Sequence, residues 1–252
     1  MTIYPEPRVL PCGDCAVAVE LGDEISREVN ARVLALDYLL REAAPAWLVE
    51  TVPSFRSLLV YYDPLAVDPG PLAAALTTLA GRARADALPP ARTVELPCCY
   101  GGACGFELDE AAERLGLPPD EVVRWHAGAV YAVDFIGFTP GLPYLSGMPE
   151  RLFIPRLETP RVKTPPGSVS IGGMQCCIYS VESPGGFWVL GRTPVPLYDP
   201  AAADPILLRA GDRVRFRAID HAEFESIAAA AAAGRHRPLV EEPPPRPCGR
   251  RS

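Results

Sequence analysis

The sequence predicts an α+β protein in two parts: a small α/β N-terminal domain followed by an all-β sandwich or barrel. Three observations predict it. The first ninety-odd residues alternate strand-like and helix-like runs in the order β-α-β-β-α-β, which is the order of the ferredoxin-like split unit. From Ala129 onward, short apolar runs are broken at intervals of about 8–12 residues by Pro and Gly, as in sandwiches and barrels. The chain has 252 residues and 48% apolar content, enough for one large core or two small ones.

Each element follows from local chemistry. Cys15–Leu21 is an apolar run suited to a strand. Asp23 to about Ala43 has helical spacing, with Ile25, Val29, Val33, Leu36, Leu39 and Leu40 along one side. Trp47–Val52 and Ser57–Tyr62 are β-rich and separated by Pro53 and Ser54. Asp68-Pro69 opens an Ala/Leu-rich helix, Asp at the N-cap and Pro in the first turn. Arg92–Leu96 is read as the closing strand of the split unit. Two helices follow, Glu107–Leu115 and Pro119–His126, the second with Asp120 and Glu121 where they suit the helix dipole. The β-rich part is expected to hold strands at Val130–Ile136, Ser168–Ile171, Cys176–Val181, Phe187–Leu190, Val195–Tyr198 and Arg213–Arg217, then a helix at Glu223–Ala233. The expected boundaries are 1–97, 98–234 and a disordered Pro/Arg-rich tail at 235–252.

The net charge of −7 argues against a nucleic-acid partner, which would call for a basic patch. There is no apolar run long enough for a transmembrane helix and no secretory pattern in Met1–Leu10, so a cytoplasmic location with no membrane partner is expected. Arginine far outnumbers lysine, and Lys163 stands alone of its type. Of the eight cysteines, Cys12 and Cys15 have C-x-x-C spacing, while Cys98, Cys99 and Cys104 fit no standard zinc knuckle. Ordinary buried thiols and no metal site are expected.

Three segments could carry chemistry. Gly137-Phe138-Thr139-Pro140-Gly141-Leu142-Pro143-Tyr144 alternates Gly and Pro around aromatics, giving either one wall of a pocket or a structural turn. In the run from Thr159 to Gln175, Arg161 and Lys163 could hold a carboxylate or phosphate, and Ser168 and Gln175 could orient a small polar substrate; a solvated loop is the alternative. Ser183-Pro184-Gly185-Gly186 could cradle an anion on its glycine amides, or be a tight turn. His126 is either a packing residue or an acid/base. No P-loop occurs.

Taken together, GFTPGLPYLSGM, PRLETPRVKTPPGSVSIGG, SPGGFWVLGRTPVPLYDP and LLRAGDRVRF, with CGDCAVAVELGD and VPSFRSLLVYYDP before them, resemble the allophanate hydrolase subunit 1 and Kip inhibitor family, from about Cys12 to Ala218. That family includes the B subunits of 5-oxoprolinases and half of the urea carboxylase carboxyltransferase domain. The resemblance implies that the second domain is a cyclophilin-like β-barrel. It implies ATP-dependent opening of 5-oxoproline or a related lactam or amide, with ATP shared with partner subunits. The implied partners are a homologous C-type subunit, of the allophanate hydrolase subunit 2 type, and a third 5-oxoprolinase subunit. Carried over, His126, Arg161 and Gln175 are the catalytic candidates. Phe138, Pro140, Gly141, Tyr144, Lys163, Ser168, Tyr179, Gly185 and Gly186 are the substrate-binding ones, with Gly167, Pro184, Gly191 and Asp199 in the same motifs. The family also offers a kinase-inhibitor-like regulator and a carboxyltransferase half as alternatives. This chain departs from the family pattern at Gly105-Phe106-Glu107-Leu108, usually Gly-Pro-Asp-Leu, and at Gln175-Cys176-Cys177, usually Gln-Thr-Gly.

Overall fold

A computed structural model describes residues 3–243, and the chain divides into two compact units between Pro89 and Pro90. The first unit holds β1 (Ile3–Pro11), β2 (Ala16–Gly22), α1 (Arg27–Ala43), β3 (Leu48–Pro53), β4 (Ser57–Tyr62) and α2 (Pro69–Arg82). Its sheet runs β1-β2-β4-β3 with every pair antiparallel. α1 starts at Arg27 rather than Asp23 because the Ser26 hydroxyl accepts from Val29 N at 3.1 Å, closing the first turn. Asp68 stands at the N-cap of α2 as expected, but its side chain caps nothing; Pro69 occupies the first turn. Val29, Val33, Leu36 and Leu40 of α1 meet Leu72, Leu76 and Ala80 of α2 and Val19, Leu21, Leu58 and Val60 of the sheet in one buried cluster.

The second unit holds β5 (Thr93–Tyr100), α3 (Leu108–Leu115), α4 (Pro119–Ala127), β6 (Val130–Ile136), β7 (Pro143–Ser146), β8 (Arg161–Thr164), β9 (Ser168–Gly172), β10 (Gln175–Ile178), β11 (Ser183–Gly185), β12 (Trp188–Arg192), β13 (Arg213–Ile219), α5 (His221–Ala232) and β14 (Leu239–Glu241). Strands β12-β9-β10-β7-β6-β13-β5 form a sheet that closes on itself where β5 pairs β12, at Tyr100↔Gly191 and Cys99↔Arg192. The result is a seven-stranded barrel, packed inside by residues such as Tyr131, Leu145, Ile171 and Leu190. β8 and β11 form a separate two-stranded ribbon.

Three expectations change. The strand expected at Arg92–Leu96 does not complete the N-terminal sheet: β5 runs parallel to β13 over its length, and β1 takes the fourth place beside β2. The division therefore falls before β5 and not at residue 97. Arg92 fixes this start, donating from Nε and Nη2 to both carboxylate oxygens of Asp212 at 2.8 Å. Val195–Tyr198 is not a strand; Val195 and Leu197 are buried in the barrel core, and Tyr198 makes one isolated bridge to Ile206. In the expected disordered tail, Leu239–Glu241 is β14, antiparallel to β5; the rest of that tail from residue 244 lies outside the described residues. Among the described residues no helix is long and apolar enough to cross a membrane.

Candidate functional site

A cavity of about 360 Å³ lies in the second unit, in the range of small-ligand sites. Its walls come from three places. The loop after β6 supplies Phe138 and Leu142, with Tyr144 next on β7; the segment before β8 supplies Arg156, Leu157 and Pro160; and Cys177, Tyr179 and the stretch Pro184–Phe187 supply the rest.

Each wall is held locally. Phe138 sits at φ 68°, a conformation that a bulky side chain rarely adopts. It is held there by Thr139 N donating to Gly137 O at 2.8 Å and Gly137 N donating to Leu142 O at 3.0 Å, while the Ser180 hydroxyl donates to Pro140 O. The strained loop turns the Phe138 ring outward, 65% exposed, at the cavity rim. Tyr144 stacks on Phe135 with ring centroids 4.5 Å apart. Tyr179 lies against Gly185 so closely that a Cβ there would sit 2.0 Å from its hydroxyl, which is why the ribbon carries glycine at this position.

Arg156 is the one charged side chain in the lining. Its segment is pinned on both sides: Trp188 Nε1 donates to Pro155 O at 2.8 Å, and Leu157 N donates to Gly186 O at 2.8 Å. The guanidinium lies 4.6 Å from the Phe187 ring centroid, and Nη2 is 3.5 Å from Gln175 Oε1. Burial pushes the Cys177 thiol and the Tyr179 and Tyr144 phenols up, so all three are neutral near pH 7. The cavity is thus lined by aromatic and other uncharged groups and one cation, Arg156, chemistry that can receive a small anion.

The carboxyltransferase domain, subdomain C and D, matches residues 7–208 of the chain. The chain belongs to this carboxyltransferase-domain family. It is 36% identical to the B subunit of 5-oxoprolinase from Bacillus subtilis (strain 168), with 85% of this chain and 93% of that protein aligned. It is 38% identical to the B subunit of 5-oxoprolinase from Escherichia coli O157:H7, covering 81% of this chain and 92% of that one. Among solved structures it is similar to TTHA0988, at 38% identity and a TM-score of 0.73 over 81% of this chain; the chain spans 40% of that longer protein.

For this member of the carboxyltransferase-domain family, the structure brings Phe138, Tyr144, Tyr179, Gly185 and Gly186 to the cavity wall, with Pro184 beside them. Gln175 stands behind Arg156 as its neighbour. Pro140 and Gly141 shape the Phe138 loop from behind; Gly141 has φ 75° and packs on Leu197 and Tyr198. Ser168 is buried within β9 and does not line the cavity.

Three candidates are corrected. Arg161 is not in the cavity lining: it pairs with Glu107 and donates to Phe187 O, and Glu107 in turn accepts from Val189 N at 2.7 Å, so the pair fastens the ribbon to the barrel. Lys163 is exposed and pairs with Glu182 at 2.9 Å, away from the cavity lining. His126 is fully buried in the barrel core, with Nδ1 2.8 Å from the Tyr100 hydroxyl and Nε2 3.4 Å from Cys176 Sγ. Burial holds its pKa down to about 3, so it is a neutral packing residue. The residue that sequence reasoning missed is Arg156, although it stands inside the quoted PRLETPRVK motif.

The buried His126 makes a pH prediction. The unfolded imidazole takes its proton near pH 6.5, the folded one only near 3. Below 6.5 the unfolded state binds the extra proton, so this contribution to stability is whole above pH 6.5 and declines as pH falls toward 3. Chemical denaturation at pH 7 and pH 5 should differ by on the order of 2 kcal/mol through this residue. His126→Leu, which is less stable throughout because the Tyr100 hydroxyl loses its partner, should show a correspondingly flatter pH slope.

Proposed function

We propose that this chain is the B-type subunit of an ATP-dependent 5-oxoprolinase, opening 5-oxoproline or a related lactam, and that it acts only with partner subunits, a homologous C-type subunit of the allophanate hydrolase subunit 2 type among them. The observation that carries the reading is the single cation in a neutral aromatic cavity of small-ligand size. The ring of 5-oxoproline is apolar on its faces and carries one carboxylate. Arg156 would take the carboxylate, Phe138, Tyr144 and Phe187 would pack the ring, and the backbone N–H groups of Gly185 and Gly186 would face the lactam oxygen.

The partner requirement rests on what the cavity holds. Its lining contains no carboxylate and no imidazole, so an attacking water finds no general base on this wall. The rim at Phe138 and Arg156 is open to solvent, where a second chain can complete the site. A triphosphate does not fit the lining, which has one cation and no glycine-lysine phosphate loop. In this reading ATP is shared with the partner subunits.

The test compares ligands on the assembled complex by calorimetry. 5-Oxoproline should bind at least about tenfold more tightly than 2-pyrrolidinone, which keeps the lactam and lacks the carboxylate, because a charged hydrogen bond contributes roughly 1.5–3 kcal/mol. Equal binding of the two would remove Arg156 from the substrate site.

A further inference from the structure

We propose that Cys99, Cys104 and His221 form a binding site for one thiophilic divalent ion of the zinc class, outside the cavity described above. Cys99 lies near the end of β5, Cys104 in the turn that follows, and His221 is the first residue of α5. Their ligand atoms all lie within 4.8 Å of one another, with Cys104 Sγ 4.0 Å from His221 Nδ1. In a tetrahedral site with Zn–S near 2.3 Å and Zn–N near 2.0 Å, donor atoms are spaced by about 3.5–3.8 Å. The three groups close on an ion by moving about 1 Å or less, and the exposed His221 side chain is free to make most of that movement.

The surroundings fit a metal site in three ways. The two sulfurs are buried against Phe224, with Ile219 and Ala228 packed beside it, so the donors stand on a dry floor while the imidazole faces solvent and leaves a way in. His221 Nε2 faces Glu225 Oε1 at 3.9 Å, one helical turn on, the arrangement in which a carboxylate orients a ligating imidazole. The start of α5 is fixed by the Asp220 carboxylate accepting from Glu223 N at 2.8 Å, which sets His221 above the sulfurs. Two thiolates and one imidazole suit zinc over magnesium or calcium, with water at the fourth position. Binding replaces two thiol protons by one divalent ion, releasing two protons to solvent. It would join α5 to the strand that closes the barrel. Cys99 and Cys104 lie within residues 7–208, the span of the family match, and His221 lies beyond it.

The experiment is a Co(II) titration of the full chain, kept reduced with a phosphine and read by thiolate-to-cobalt charge-transfer and tetrahedral d–d absorption. One equivalent should bind per chain. Cys104→Ser should abolish the charge-transfer band, and His221→Ala and Glu225→Gln should weaken binding by about tenfold or more. The Cys12→Ser/Cys15→Ser double variant, which removes the exposed C-x-x-C pair, should bind as the parent does. His221 and Glu225 are exposed, so their variants remain folded and informative even if a buried cysteine variant does not. Absence of a thiolate–cobalt band in the folded parent, or a band that survives His221→Ala and disappears with Cys12 and Cys15, would overturn the proposal.

Discussion

Arg156→Ala should lower kcat/KM of the assembled complex for 5-oxoproline by about 10²-fold, since a charged hydrogen bond contributes roughly 1.5–3 kcal/mol and nothing else in the lining replaces it. The loss should fall mainly on KM, because a carboxylate remote from the breaking bond is bound alike in substrate and transition state. Arg156→Lys should recover part of it: the charge remains, but the planar fork that meets a carboxylate with two parallel bonds does not. Stability should change by no more than about 0.5 kcal/mol, as the side chain is on the surface and its segment is held by backbone contacts through Pro155 and Leu157. Steady-state kinetics with a denaturation curve on the same preparation checks both parts. Gln175→Ala, acting through its contact to Arg156, should give a smaller KM effect in the same direction.

Gly105→Ala should be among the most destabilising single substitutions in the chain, beyond about 4 kcal/mol, with soluble folded protein lost as the practical readout. An added Cβ would lie 1.9 Å from Leu190 O, 2.4 Å from Leu190 C and 2.6 Å from Gly101 N. All three are backbone atoms, so no side chain can swing aside. The contact lies where the barrel closes: Gly101 N donates to Leu190 O at 3.1 Å, and the next residue on β12, Gly191, pairs with Tyr100 of β5. Either the turn after β5 moves away or the closure opens. Gly81→Ala is the internal comparison. Its Cβ meets nothing within 4 Å and it lies within α2, so alanine should stabilise by up to about 1 kcal/mol. Thermal unfolding of the two variants should move in opposite directions.

Much of this was legible in the sequence, and the failures have physical causes. Helical periodicity placed α1 and α2 because their apolar residues recur every three or four positions. β1 escaped because Pro5, Pro7, Pro11, Glu6 and Arg8 make a poor central strand; it is an edge strand, where missing N–H donors are tolerated. β8, of four residues, and β11, of three, are too short to show alternation, and they exist because they pair with each other across nearly twenty residues. β5 was assigned to the wrong sheet because its partners, β12 and β13, lie far along the chain.

The site divides the same way. Phe138, Tyr144, Gly185 and Gly186 stood out by local composition, Tyr179 only through the family resemblance, and all five line the cavity. Arg156 did not, since an arginine in an irregular stretch carries no pattern until Trp188 and Gly186 fix the backbone around it. His126 misled by its chemistry, although a signal was present: it lies four residues after Val122 on α4, and both face the core.

The proposed role of this chain, as a required part of an assembly that couples ATP to lactam opening, is tested most directly by 5-oxoproline-stimulated ADP release by the chain co-expressed with its chromosomal neighbours. Release that depends on 5-oxoproline and vanishes when this chain is omitted is the predicted result. An assembly that forms with this chain but shows no 5-oxoproline-dependent release, or one that releases ADP equally well without it, would contradict the claim.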